Sequence, residues 1–123
     1  MNKLPLILLV LIATSCYQTL TIDGLDRAKW VQALDGCNSY RLDIVDLIEE
    51  NQDVILEATQ NEVESLLGQP EEHELYGRNQ KFFHYRLTPN DSCGSYQSIK
   101  FLSIRFNAIG RANLVQVRLR EPQ

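Results

Sequence analysis

The chain has 123 residues and a formal net charge of −4, and 44% of its residues are hydrophobic. That length is typical of a single domain with one core. No block of basic residues is available to neutralise a phosphate backbone, which argues against a nucleic-acid partner. The acidic balance also argues against peripheral binding to anionic lipid.

Residues 1–16 have the layout of an export leader followed by a cysteine. Lys3 precedes an apolar run, and Thr14 and Ser15 lead into Cys16, as in a secretion signal. The run is about half of the ~20 residues that a helix needs to cross a bilayer, so we expect no permanent transmembrane helix. The small residues directly before the cysteine resemble the lipobox of bacterial lipoproteins.

The lipobox resemblance implies that residues 1–15 are a lipoprotein signal peptide and that Cys16 is the lipid attachment residue. Two acyl chains and an amide-linked third give ample membrane affinity. Tyr17 replaces the Asp that retains lipoproteins in the inner membrane of enteric bacteria, so the outer membrane is favoured, with the domain facing the periplasm. Ala13 stands where Leu is usual, and the alternative is a plain secretory leader. The mature chain keeps 11 basic and 16 acidic side chains, a formal charge of −5.

Cys37 and Cys93 remain after lipidation. Because an exported chain meets an oxidising compartment, this pair predicts a disulfide. The bridge would close a loop of roughly 57 residues and contribute roughly 4 kcal/mol in the chain-entropy model. The alternative is two free, buried thiols. Neither cysteine has the neighbouring ligands of a zinc site.

Helices are predicted for the first half of the mature chain, after an irregular tether over residues 16–26. The first helix covers residues 25–34 and ends at Gly36. The second begins near Ser39 and is closed by Asn51, because apolar residues recur at helical spacing with acids opposite. Its apolar positions are Leu42, Ile44, Val45, Leu47 and Ile48.

The third helix has the clearest limits. Thr59 and Glu62 form a capping-box pattern ahead of an apolar face. Gly68 supplies a left-handed exit, and Pro70 prevents continuation. We therefore predict a helix of about two turns over residues 59–68.

Beyond this helix the apolar period changes to two, which predicts half-buried antiparallel strands. The expected strands are residues 74–76, 81–87, 99–107 and 114–120. The positions expected to face inward are Phe83, Tyr85, Leu87, Leu102, Ile104, Phe106, Val115, Val117 and Leu119. Helices followed by strands imply an α+β fold, with two or three helices on one face of an antiparallel meander sheet of three to four strands. Residues 27–123 would form this single domain.

No catalytic pattern is recognisable. His73, beside Glu71 and Glu72, is interpreted as part of a solvated connector. His84 lies on a polar strand face, where we expect exposure or a cross-strand hydrogen bond. There is no Gly-x-Ser-x-Gly, phosphate loop or paired metal-ligand spacing. We expect a protein that is not an enzyme and has no cofactor or metal; a thiol enzyme would need Cys93 to be free.

Positive charge is concentrated in the strand half. This asymmetry suggests a two-faced surface whose basic strands are able to meet an acidic partner or lipid head groups, although solubility is the preferred interpretation. The alternative is that the charges keep strand edges soluble. The residues concerned are Arg78, Lys81, Lys100, Arg105, Arg111, Arg118 and Arg120.

The second half carries a Thr-x-x-x-Val-x-x-x-Leu-Gly-x-Pro helix exit, an aromatic-x-Tyr strand and a Phe-x-x-x-Gly strand end. The residues that match are Thr59, Val63, Leu67, Gly68, Pro70, Phe83, Tyr85, Phe106 and Gly110. These patterns resemble the small outer-membrane lipoproteins of the BamE, or SmpA/OmlA, type. Departures are Glu57 and Ala58 in place of Gly-Met, a longer region over residues 25–51, and the two cysteines of the domain.

The resemblance implies a non-catalytic envelope lipoprotein that is accessory to outer-membrane protein assembly or integrity. Its partner would be a larger envelope protein, such as the β-barrel assembly machinery. The alternative is a periplasmic protein-inhibitor or ligand-binding module with the same helix-plus-sheet layer.

Overall fold

A computed structural model describes residues 19–121 of the chain. The predicted signal peptide and lipid attachment residue, Cys16, lie outside the described residues. The helices are α1 (Arg27–Gln32), α2 (Tyr40–Glu50), α3 (Gln52–Ile55) and α4 (Gln60–Leu67). The strands are β1 (Glu72–Tyr76), β2 (Gln80–Arg86), β3 (Ile99–Phe106) and β4 (Ala112–Arg120). They form one antiparallel sheet in the order β1-β2-β3-β4, which confirms the predicted α+β fold.

The limits of α4 follow the sequence pattern closely. Thr59 Oγ1 accepts a hydrogen bond from the Glu62 backbone at 3.2 Å, and Glu62 Oε1 accepts from the Thr59 backbone at 3.1 Å. This confirms the capping box. Gly68 ends the helix at φ +76°, and an added Cβ would lie 3.1 Å from Val31 Cγ2. Both backbone conformation and space therefore require glycine at this exit.

Other element limits differ from the predictions. Ser39 precedes α2 as expected, but its hydroxyl donates to Asp43 Oδ2 at 2.8 Å instead of capping the backbone. The short helix α3 was not predicted. β1 begins at Glu72, so His73 lies in a strand and not in a connector, although it is exposed to solvent as predicted. Cross-strand pairing with β2 extends this acidic segment despite its weak strand propensity.

The core lies between the helices and one face of the sheet, here called the inner face. Phe83 and Phe106 pack edge to face at 4.7 Å, and the Tyr85 hydroxyl donates to the Gly68 carbonyl at 2.9 Å. Most predicted inward positions are confirmed as buried. Leu119 is an exception, because it is 66% exposed. Its cross-strand partner Lys100 is exposed as well, so this end of the inner face is uncovered.

Cys37 and Cys93 form a disulfide with a Cα–Cα distance of 5.4 Å, which confirms the predicted pair over the free-thiol alternative. The bridge connects the α1–α2 loop to the β2–β3 loop. Asn90 Nδ2 reinforces the same junction by donating to Asp35 Oδ1 at 2.8 Å. The long loop is therefore fixed to the helical layer.

No helix in residues 19–121 combines the length and the apolar character that crossing a bilayer requires.

Candidate functional site

The face of the sheet that points away from the helices, here called the outer face, is the candidate site. Alternation along the strands and the cross-strand register bring its side chains together. The sequence predicted a polar face here, but two aromatic residues also belong to it. Its central side chains are Glu72, Glu74, Tyr76, Phe82, His84, Arg86, Phe101, Ser103, Arg105, Gln116, Arg118 and Arg120.

Two phenylalanine rings form the apolar layer of the outer face. Phe82 and Phe101 are only 6% and 5% exposed, although neither belongs to the core cluster between the helices and the inner face. The guanidinium of Arg118 lies 5.0 Å from the Phe82 centroid, and that of Arg120 lies 4.4 Å from the Phe101 centroid. Tyr76 packs edge-on against Phe82 at 5.9 Å. Arginine and tyrosine side chains therefore do the covering that helices do on the inner face.

A buried polar network occupies the centre of the outer face. His84 is 3% exposed; its Nδ1 lies 2.7 Å from Ser103 Oγ, and its Nε2 lies 2.7 Å from Glu74 Oε2. Of the two predicted alternatives for His84, exposure or a cross-strand hydrogen bond, the hydrogen bond is the one found. The network satisfies both nitrogens of a neutral imidazole when Ser103 donates to Nδ1 and Nε2 donates to Glu74.

The set of serine, histidine and carboxylate matches an acyl-transfer triad in composition. Its geometry does not suit that chemistry, because Ser103 is fully buried and its Oγ is out of reach of a substrate. The contacts of the network serve instead to hold β1, β2 and β3 in register.

Two outer-face arginines have their charges balanced by carboxylates. Arg120 Nη1 and Nη2 donate to the two carboxylate oxygens of Glu72 at 2.8 and 2.9 Å. This bidentate pair lowers the pKa of Glu72 and raises that of Arg120. Arg86 donates to Asp91 Oδ1 at 2.9 Å and to the carbonyl oxygens of two loop residues. These two arginines therefore hold the sheet edge and the β2–β3 loop.

Two further arginines are held by amides instead. Arg105 Nε donates to Asn113 Oδ1 at 3.0 Å. The Gln116 amide, with its oxygen turned toward Arg118, accepts from Nη2 at 2.8 Å. Among residues 19–121, no carboxylate lies within 4.0 Å of either guanidinium. The outer face therefore keeps two positioned positive charges on a chain that is acidic overall.

A groove of about 620 Å³ lies at the end of the outer face, beneath the β2–β3 loop. The disulfide holds this loop in place. The lining residues are Glu72, Arg86, Asp91, Gly94, Ser95, Tyr96, Ile99, Phe101, Arg120 and Glu121. Both arginines in the groove are already paired, so it offers a mixed polar surface and no free cation.

Arg41, which the sequence reasoning missed, joins the helices to the sheet. Its side chain is 3% exposed; Nε donates to the Trp30 carbonyl at 2.8 Å, and Nη1 donates to Glu71 Oε1 at 2.6 Å and to the Arg86 carbonyl at 2.8 Å. Burial lowers the pKa of Arg41, and Glu71 opposes that effect. Its position in the sequence could have indicated this burial, because Arg41 lies four residues before Val45 and so on the same buried side of α2.

The other candidate residues from the sequence do not converge with the outer face. His73 is exposed on the inner side of β1, where its ring lies 4.9 Å from Phe83. Cys37 and Cys93 lie at the loop junction. In the described residues, no three His, Cys, Asp or Glu side chains cluster as metal ligands.

Comparisons with protein-family models, curated proteins and solved structures found no match.

Proposed function

We propose that this chain is a non-catalytic, lipid-anchored envelope protein that binds a larger envelope protein through the outer face. The observation that carries the proposal is the aromatic platform of Phe82 and Phe101 beneath positioned arginines, on the face of the sheet opposite the core. Arginine and aromatic side chains are the types enriched at the centres of protein interfaces. In this role the protein would support the assembly or integrity of the outer membrane.

The rigidity of the platform supports the same role. Arg118 is held between Gln116 and Phe82, and Arg120 is held by Glu72 above Phe101. Side chains that are ordered before binding lose little conformational entropy when a partner docks. The outer face is therefore suited to recognition with little rearrangement.

The start of the described chain supports a short anchor. Ile22 is buried, and Leu20 and Leu25 pack against the core. Part of the tether predicted for residues 16–26 thus lies against the domain. The three peptide units between Cys16 and Thr19 span at most roughly 11 Å. Lipid on Cys16 would hold the domain close to the bilayer and raise the local concentration of a membrane-bound partner.

Mass spectrometry of proteins that co-purify with the tagged, mildly cross-linked chain from detergent-extracted membranes tests the proposal. We expect enrichment of a larger outer-membrane protein, such as a component of the barrel-assembly machinery. Tyr76→Ala on the outer face should reduce recovery of that protein severalfold. Leu75→Ala is the matched control, because the two residues are adjacent and 60% and 76% exposed but lie on opposite faces of β1.

Recovery of the bait alone, or equal recovery with Tyr76→Ala and Leu75→Ala, would contradict binding through the outer face. Cys16→Ala should release the protein from the membrane fraction. A Cys16→Ala protein that stays membrane-bound would contradict the lipid anchor without bearing on the binding face.

The groove supports a second candidate, a periplasmic protein-inhibitor or ligand-binding module. Tyr96 and Phe101 line it beside paired arginines, so it could receive a partly polar ligand. Capture of a soluble periplasmic protein that is lost with Tyr96→Ala but not with Tyr76→Ala would favour this candidate.

A further inference from the structure

We propose that the partner presents an acidic protein segment whose carboxylates bind Arg105 and Arg118. This inference rests on the proposed function and names the chemistry that the outer face recognises. Three observations carry it: the two arginines lie on neighbouring strands beside Phe82, neither is paired with a carboxylate, and both are held in place by amides.

The two arginines are brought to the same part of the outer face by the sheet register. Arg105 lies directly across from Phe82 on the neighbouring strand. Arg118 comes from β4 and extends past the small Ser103 to lie over the same ring, 5.0 Å from its centroid. The outer face therefore carries two arginines from neighbouring strands, one across from Phe82 in the backbone register and one over its ring.

The hydrogen bonding leaves each guanidinium with donors to spare. Arg105 uses Nε on Asn113, so both of its terminal nitrogens remain available to a ligand. Arg118 bonds the neutral amide of Gln116. A guanidinium presents five N–H donors in a planar fork that matches a carboxylate. Amide partners orient these forks and leave their charge uncompensated, whereas the Glu72 carboxylate compensates Arg120.

The surroundings favour a protein segment over an anionic membrane. The carboxylates of Glu72, Glu74 and Asp91 lie on the same side of the sheet, and the chain carries a net charge of −4. A flat anionic surface would meet the overall negative charge of the chain as well as the two arginines. A narrow acidic segment can contact the two arginines alone.

The test measures binding of a fluorescent decaglutamate peptide to the full chain in a non-ionic detergent at low salt. Decaglutamine of equal length is the matched probe. We expect binding of decaglutamate only, with affinity lowered about fivefold by Arg105→Gln and by Arg118→Gln, because each removes a charge-assisted hydrogen bond at a partly exposed site. Arg118→Lys should reduce the affinity by about half as much as Arg118→Gln does, because lysine keeps the positive charge but lacks the planar fork.

Lys100→Ala is the control variant, because Lys100 is an exposed cation of β3, the strand that carries Arg105, and lies on the inner side. It should change the affinity less than twofold. Equal losses with Lys100→Ala and Arg105→Gln would overturn the inference, since the binding would then be general charge attraction. Failure of decaglutamate to bind would also overturn it. Urea unfolding of each variant confirms that the fold is retained.

Two further probes are tested separately: vesicles that contain anionic phospholipid, and inorganic phosphate. We expect neither to show affinity that depends on both Arg105 and Arg118. Vesicle binding lost with both variants would overturn the inference in favour of lipid recognition. Recovery of a cross-linked partner together with failure of decaglutamate would refute the acidic segment and leave the proposed function standing. Binding of decaglutamate without recovery of any cross-linked partner would refute only the proposed function.

Discussion

The two faces of the sheet bury aromatic rings by different means. On the inner face, Phe83 and Tyr85 lie beneath helices and pack with aliphatic side chains. On the outer face, Phe82 and Phe101 are nearly as buried, but the covering groups are guanidiniums. A helix layer is a permanent part of the fold, whereas a layer of arginines has guanidinium N–H donors that remain available to a partner. The difference separates the face that stabilises the domain from the face that we propose for binding.

Adjacent phenylalanines in β2 offer the sharpest test of this contrast. Phe83→Ala should lower the free energy of unfolding by about 3–5 kcal/mol, because it leaves a cavity beneath the helices. Phe82→Ala should cost only about 1–2 kcal/mol, since Arg118 and Tyr76 can collapse into the space. Urea denaturation of both variants measures the difference. Equal losses would mean that the outer-face side chains cannot close over the missing ring, so that both faces depend equally on their phenylalanine.

The disulfide connects the helical layer to the loop at the end of the outer face. Replacing Cys37 and Cys93 together by serine should lower the free energy of unfolding by about 2–4 kcal/mol, because the unfolded chain loses a long closed loop. Chemical denaturation of the double variant checks this value. An unchanged midpoint would show that the contacts around Asn90 suffice to hold the loop.

The central hydrogen bonds of the outer face should have a smaller effect. Ser103→Ala leaves His84 Nδ1 buried without its partner, and we expect a loss of about 1–2 kcal/mol. Ser65→Ala is a suitable control, since that hydroxyl donates only to the Glu62 carbonyl at an exposed site. Thermal unfolding that shifts equally for both variants would contradict a structural role for the network.

The smallest expected effect is the pH dependence of the Glu72–Arg120 pair. The pKa of Glu72 is lower in the folded protein, so its ionised form favours folding. That contribution is fully present above the ordinary glutamate pKa of about 4.3 and is lost as pH falls through the lowered value. Glu72→Gln should therefore destabilise the protein slightly at pH 7, and the difference from the unmodified chain should shrink as the pH falls below about 4.3. A difference that persists in acid would contradict the ion pair as its cause.

Local signals in the sequence were sufficient for much of the fold. The capping box of Thr59 and Glu62, the exit at Gly68 and the alternation of Leu102 with Ile104 each act within a few residues. Such short-range chemistry can be identified without knowing the tertiary structure. The α+β order followed from the same patterns.

The features that were missed depend on distant partners. Arg41 is buried because it meets groups 11, 30 and 45 positions away. The burial of Phe82 was not predicted, because the alternating pattern assigned its neighbour Phe83 to the core and the opposite face to polar residues. Only the cross-strand arrangement shows that Arg118 covers Phe82. Long-range packing of this kind cannot be inferred from a period of two.

The most direct test of the binding face is photo-cross-linking in intact cells, with a photoreactive phenylalanine analogue placed at Tyr76 or at Leu75. These adjacent positions of β1 are both exposed and lie on opposite faces of the sheet. Binding through the outer face predicts an adduct with a larger envelope protein from position 76 and none from position 75. An adduct from position 75 alone, or equal adducts from both, would contradict it.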